Sequence, residues 1–341
     1  MVFMSLMDHE RIKLITLQKK IGPALQKVDA EFRRITDGDS PMTRAICEHI
    51  LRGTSKKFRP TLLLLAAQYE QDGRLLIADE ALGAAACVEL VHTATLIHDD
   101  FIDEALTRRG LPSVNEKFGS SAALIMGDYL YSKALHTLCA QGQAHAVELL
   151  ARTTVLMSEA EMLQLEHRFD LGISEERYMQ IIYQKTASLI ENSCRIGAGM
   201  NPVLASAEKD FGTFGARTGM VFQITDDIFD YLGDARRLGK PTGQDWEEGR
   251  ITLPLIAAWR NADEQSRARI SRLAEERDTR RRAESWPEVK AFVTECGGID
   301  YSFAKAREFG EEAKAALGPV VSGPQKDLLA VAVEYVINRL N

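Results

Sequence analysis

Cysteine and proline are scarce in this chain, and each shortage excludes something. The five cysteines, Cys47, Cys87, Cys139, Cys194 and Cys296, are odd in number, scattered, and form no C-x-x-C pair. A disulfide framework and a zinc site are therefore not expected, and a reducing cytoplasm is the default location. All five read as small buried apolar side chains. The ten prolines punctuate rather than interrupt; Pro112, Pro202, Pro241, Pro287 and Pro319 fall in apparent connections. A basic excess is missing too. Lys and Arg total 42 against 49 Asp and Glu, for a net charge of −7, so no nucleic-acid partner is expected. No apolar run approaches the ~20 residues needed to span a bilayer. The opening MVFMSLMDHE lacks a basic n-region and a cleavage signature, so no signal peptide is expected. Strand alternation with Asn-Gly or Asp-Gly hairpin signals is nearly absent.

What remains is helical spacing. Apolar or small residues nearly surround the axis over Ala81–Phe101, which marks a central helix. Similar stretches run over Ser121–Cys139, Ala144–Phe169, Glu175–Gly199 and Ser206–Leu232. The expectation is an all-α protein, with residues 1–341 forming a single domain of about ten or more helices. The stretch Asn261–Glu284 alternates acids and bases and reads as a solvated helical hairpin.

One short pattern occurs twice. Leu96-Ile-His-Asp-Asp-Phe-Ile-Asp contains Asp99, Asp100 and Asp103; Phe222-Gln-Ile-Thr-Asp-Asp-Ile-Phe-Asp contains Asp226, Asp227 and Asp230. Both are D-D-x-x-D near the C-terminal end of an apolar helix pattern. Residues four apart share a helix face, so Asp99 and Asp103 project together, as do Asp226 and Asp230. Like charges at this spacing, near the negative pole of the helix dipole, oppose helix formation. A hard divalent cation offsets both penalties, and magnesium takes one or two carboxylates and completes its shell with water and phosphate. A solvated acidic helix end accounts for one such ladder as well as function does. Two copies set in bulky apolar sequence are harder to dismiss. Calcium binding of the EF-hand type is disfavoured, since neither ladder has the acidic loop with its central Gly and final Glu. Arg108-Arg109-Gly110 follows the first ladder, and arginines fork onto phosphate oxygens. Acids, metal and arginines together make a diphosphate clamp.

At this point the chain resembles the trans-isoprenyl diphosphate synthase (polyprenyl synthetase) family, from about residue 50 to the C-terminus, with its core motifs in 53–255. His92-Thr-Ala-Thr-Leu-Ile-His-Asp-Asp-Phe-Ile-Asp with Arg108-Arg109-Gly110 is similar to the first aspartate-rich region, and Phe222 to Asp230 to the second. Ser55-Lys-Lys-Phe-Arg-Pro60 resembles the G-K-x-x-R-P motif, Lys185-Thr186 the K-T pair, and Gly239-Lys240-Pro241-Thr-Gly-Gln-Asp245 the G-K-x-x-G-x-D loop. The resemblance implies the isoprenoid synthase fold, a helical bundle around a central cavity, usually as a homodimer. It implies that Lys56, Arg59, His92 and Arg109 hold isopentenyl diphosphate. It places Mg2+ at the allylic diphosphate on Asp99 and Asp103, with Asp100 beside them, and a further ion on Asp226, Asp227 and Asp230. Arg108, Lys185 and Lys240 would meet the allylic phosphates, with Thr186 and Gln223 at the reacting centre. Two departures stand out: Thr54-Ser55 replaces the usual double glycine, and Arg250 replaces a lysine, exchanging a point charge for a fork.

The implied chemistry is ionisation of an allylic prenyl diphosphate, attack by isopentenyl diphosphate, then loss of a proton. It needs an apolar cavity that excludes water. Ala94, five positions before Asp99, and its neighbour Thr95 are small where short-product relatives often carry an aromatic stopper. At ~5.4 Å per helical turn, that suggests a deep tunnel and a long product of about C30 to C50. A side chain from another helix, Leu135 or Leu138, would close it instead. The rivals are a short-chain farnesyl or geranylgeranyl synthase, a class I terpene cyclase and a non-catalytic synthase subunit. The second D-D-x-x-D together with Lys56, Arg59 and His92 argues against a cyclase; two complete ladders argue against an inactive subunit. The chain is expected to lack a transmembrane segment, leaving peripheral membrane contact for product release.

Overall fold

A computed structural model describes residue 18 and residues 21–53, 55–72, 74–232 and 242–338. Helices dominate: α1 (21–36), α2 (Pro41–Arg52), α3 (Phe58–Ala66), α4 (Asp79–Ile102), α5 (Val114–Phe118), α6 (Ser120–Ala140), α7 (Ala144–Glu166), α8 (Glu175–Ile182), α9 (Ser188–Gly199) and α10 (Glu208–Leu232). Then come α11 (Gln244–Glu247), α12 (Leu253–Asn261), α13 (Glu264–Ala274), α14 (Thr279–Glu295), α15 (Gly298–Leu317) and α16 (Gly323–Ile337). A π-helical turn, Tyr183–Ala187, joins α8 to α9.

Helix α4 is the axis of the bundle. Asp79 and Glu80 sit in its first turn, where acids favour the positive end of the dipole. From Ala81 to Val91 every residue is buried, as its all-round apolar sequence requires. By length and composition alone this helix passes for a membrane span, but 78% of its apolar stretch is buried inside the protein, as in the core helix of a bundle. It packs against α3, α6 and α9, and α9 in turn packs against α10. The two ladder-bearing helices are thus held through a common neighbour. One apolar cluster runs from Ile21 to Val336.

Four expectations need correction. Two short hairpins exist, β1 (Gln68–Gln71) with β2 (Arg74–Ile77), and β3 (Thr107–Arg108) with β4 (Leu111–Pro112). Two to four residues are too few for alternation to show. Pro287 lies inside α14 rather than in a connection. Cys139 is exposed and Cys296 half-buried; the other three cysteines are buried. The polar stretch does form a hairpin, α13 and α14, yet Arg282 within it is fully buried.

Candidate active site

Helix α4 presents one functional face. Glu89, His92, Leu96, Asp99 and Asp103 succeed one another at intervals of three or four, the spacing that stacks side chains along a helix. All but Asp103 line a cavity of about 640 Å³. Asp226 and Gln223 of α10 line the same cavity, as do Lys185 and Thr186 of the π turn. A second hollow of about 240 Å³ adjoins it, sharing Asp99, Arg108, Lys185, Thr186 and Gln223 and adding Asp103, Asp227, Asp245 and Arg250. One acid of each ladder therefore faces the same space.

The cationic end of the cavity contains Lys56, Arg59, His92 and Arg109. Arg59 is buried, and loss of water pushes its pKa down to about 10, still charged at neutral pH. Its Nη1 donates to His92 Nε2 at 3.1 Å. Burial, then Arg59 and Arg109, hold the imidazole well below its usual range, so it is neutral, with Nδ1–H left to donate. Glu89 sits among these cations, its pKa raised by burial and opposed by the Ser55 hydroxyl and by Arg109 and Arg59. Ser55 Oγ donates to Glu89 at 2.8 Å and accepts from the Lys57 N–H at 3.2 Å. Lys57 has a left-handed backbone, φ +48°. The serine that departs from the family pattern thus ties this turn to α4.

Two adjacent arginines reach different ends because of the β3–β4 turn. Arg109 and Gly110 both have positive φ, +53° and +78°, the geometry of a type I′ hairpin, where glycine is favoured. Arg108 turns back to Asp100, its Nε donating at 2.8 Å. Asp100 is buried, and its charge, with Asp99 and Asp103, keeps Arg108 firmly protonated despite burial. Arg109 lines the large cavity with Glu89; burial lowers its pKa, and the Glu89 charge partly offsets that.

The acidic end is crowded. Burial raises the Asp99 pKa to about 6; Glu161 and Asp103 push the same way and Lys185 opposes. Lys185 Nζ pairs with Glu161 at 2.5 Å. Lys185 and Thr186 both ride on the π turn, a device found often at functional sites. Thr186 Oγ1 donates to Gln223 Oε1 at 2.7 Å, and Gln223 Nε2 donates to Asp227 at 2.8 Å. Tyr178 OH also donates to Asp227, at 2.5 Å. Asp230 accepts the backbone N–H groups of Gly243, Gln244 and Asp245 at 3.0–3.1 Å, capping α11. Burial and Asp245 still raise its pKa to about 7. Arg250 joins the two sides: it pairs with Asp245 at 2.9 Å, with Glu248, and with Asp103 at 3.5 Å.

The six ladder aspartates therefore divide. Asp99 and Asp226 face the large cavity and Asp103 the smaller one, while Asp100, Asp227 and Asp230 hold protein groups. Among the described residues no three acidic, imidazole or thiol side chains form a ready-made metal cage. Lys240 lies outside the described residues. Thr95 stands on the cavity wall, but Ala94 is fully buried and lines neither hollow. On the apolar side the wall is Tyr131, Met157 and Met162, not Leu135 or Leu138. Sequence reasoning passed over Glu89, Glu161 and Tyr131, and gave Asp245, the last residue of its loop motif, no role. Glu89 had a signal, since it lies three before His92 on the α4 face.

The polyprenyl synthetase family profile matches residues 40–289. The octaprenyl diphosphate synthase of Escherichia coli K12 is 31% identical over 98% of this chain and 99% of its own. A short chain isoprenyl diphosphate synthase of Methanothermobacter thermautotrophicus is 32% identical over 86% of this chain and 89% of its own. A solved polyprenyl synthase from Caulobacter crescentus, complexed with calcium and isoprenyl diphosphate, superposes with a TM-score of 0.86 at 28% identity, covering 96% of this chain and 98% of that one.

Proposed function

The chain belongs to the polyprenyl synthetase family of prenyltransferases, and from that premise we propose that it condenses isopentenyl diphosphate onto an allylic prenyl diphosphate, with magnesium, to give a long all-trans product. The observation that carries this reading is the single cavity onto which Asp99, Asp226, Lys185 and the Lys56–Arg59–Arg109 group converge.

The donor set fits a hard divalent cation. Asp99, Asp103 and Asp226 supply oxygens alone, and Asp99 is strained toward protonation by burial and by neighbouring acids, a strain that a cation relieves. The absence of a complete protein cage among the described residues suits magnesium, which shares its ligands with substrate phosphate. When bound, the metal neutralises charge on the departing diphosphate. Arg108 and Lys185, with Arg250 across the hollow, add fixed positive charge at the same place, favouring allylic C–O cleavage. Lys56, Arg59, Arg109 and the neutral His92 hold the second diphosphate, so the two substrates meet between the ends. Thr186 and Gln223, fixed through Asp227 and Tyr178, line the path between them. The apolar wall of Leu96, Tyr131, Met157 and Phe222 limits water near the cation.

Small Thr95 on the wall and an octaprenyl-synthase relative favour a long product of about C30 to C50, each helical turn of the wall adding ~5.4 Å of depth. A short product is the second reading, favoured by the Tyr131 ring on the same wall and by the short-chain relative. The exposed apolar residues Leu124, Ile125, Val155, Met162 and Leu165 of α6 and α7 support a homodimer through that face, checked by light scattering. The five free thiols fit a cytoplasmic location. The deciding experiment incubates the protein with labelled isopentenyl diphosphate, magnesium and allylic primers of several lengths, then sizes the products. Elongated prenyl diphosphates are expected; no incorporation from any primer overturns the reading.

A further inference from the structure

Arg282 breaks the rule that buried charges are paired. It is fully buried, yet no carboxylate contacts it among the described residues. Its partners are backbone carbonyls: Nε donates to Trp246 O at 2.6 Å, and Nη1 to Glu276 O at 3.0 Å and Ala274 O at 3.4 Å. Nη2 is buried without a partner. The guanidinium lies 3.8 Å from the Trp246 ring centroid and 4.8 Å from that of Phe169. Burial and the nearby Arg277 lower its pKa to about 10, so the group is charged. A hydrophobic residue would fill this space without the desolvation cost.

What it grips is the loop that completes the allylic site. Trp246 Nε1 donates back to Arg282 O at 3.1 Å and to Ser285 Oγ at 3.0 Å. On the other side Phe169 N donates to Gly249 O at 2.7 Å, and Arg168 Nε to Glu248 O at 2.8 Å. Gly249 has φ +78°, and a Cβ there would lie 2.3 Å from the Phe169 ring, so the fit is close. Between these anchors the Asp245 N–H donates to the Asp230 carboxylate, and the Asp245 side chain holds Arg250, which reaches Asp103.

Resting on the reading of the allylic site above, we infer that Arg282 is a positioning residue for that site: by binding the Trp246 carbonyl and lying near both the Trp246 and Phe169 rings, it sets the Gly243–Arg250 loop so that Arg250 and Asp245 link the two ladders. It touches neither cavity and acts only through the loop.

The test compares wild type, Arg282→Met and Arg282→Lys. In the folded methionine variant the KM for the allylic substrate and the half-saturating magnesium concentration should each rise about tenfold or more, while the KM for isopentenyl diphosphate stays within about twofold. The gain in melting temperature from inorganic pyrophosphate with magnesium should shrink in parallel, a readout independent of turnover. The lysine variant keeps the charge but loses the fork, and should shift the same constants by a smaller factor. If the methionine variant fails to fold, the lysine variant decides on the same readouts. A folded variant with unchanged allylic, magnesium and pyrophosphate responses overturns the inference, as does an equal rise in both substrates' KM. Wild type without prenyl transfer speaks against the function instead, and the pyrophosphate response still judges Arg282.

Discussion

The two aspartate ladders have the same spacing and different employment. In the first, Asp99 and Asp103 stand open on the smaller hollow and Asp100 is buried against Arg108. In the second, Asp226 alone faces the large cavity; Asp227 orients Gln223, and Asp230 caps α11. The difference comes from the stretch of chain beyond each ladder. Helix α4 stops at once, with Asp103 as its C-cap, so its third acid is left half-exposed beside Arg250. Helix α10 continues past Asp230 to at least Leu232, and the amides of Gly243, Gln244 and Asp245 at the start of α11 are presented to Asp230. A motif's spacing sets which residues share a face; the next turn of chain decides what that face holds.

The contrast is sharpest in matched substitutions. Asp99→Ala should lower kcat by about 10³-fold or more, the scale of losing a group that stabilises transition-state charge. Its melting temperature should hold or rise, because a desolvated carboxylate is removed. Near-wild-type turnover would break the assignment. At the opposite end of the cavity, Ser55→Ala leaves buried Glu89 short of a partner, a loss of about 1–3 kcal/mol. It should raise the KM for isopentenyl diphosphate about tenfold and leave the allylic KM alone; the reverse pattern would misplace the two subsites. Asp230→Ala removes a cap from three amides and should cost about 1–2 kcal/mol of stability, read from the urea midpoint, whereas Asp103→Ala should cost little stability and more rate. Equal stability losses would erase the contrast between the third aspartates.

Two smaller effects refine it. Thr95→Phe on the wall should shorten the product and Tyr131→Ala lengthen it, by at least one isoprene unit each on product sizing. Ala94→Phe, off the wall, should instead overpack the core by about 1–3 kcal/mol. The least effect is on metal-free stability. Asp99 and Asp230 have folded pKa values near about 6 and about 7, above the 3.8 of an unperturbed aspartate. Between these values and the unperturbed one the folded state binds the extra protons, so stability contributed by these groups rises as pH falls through about 7 and 6. Magnesium should flatten that dependence in melting curves; an unchanged slope would argue that the metal does not reach Asp99.

Much of this is legible in the sequence. The apolar run over Ala81–Phe101 is α4, observed as Asp79–Ile102, and Ser121–Cys139 is α6, observed as Ser120–Ala140, because periodicity reports burial directly. The ladder faces come from spacing. Three features leave no such trace. The π turn under Lys185 changes one hydrogen-bond register and leaves no mark in composition. The opposite aim of Arg108 and Arg109 depends on two positive φ angles. The burial of Arg282 in a charge-rich stretch is a tertiary fact, set by Trp246 and Phe169 from distant segments.

The central claim is that acids from two distant helices act as one site. A double-mutant cycle tests it most directly: magnesium-dependent binding of inorganic pyrophosphate, by calorimetry, to wild type, Asp99→Asn, Asp226→Asn and the pair. Each single change should weaken binding, and the double variant should fall short of their sum by about 1–3 kcal/mol, the range for groups that share a partner. Losses that add to within about 0.5 kcal/mol would mean two independent sites and would contradict the account.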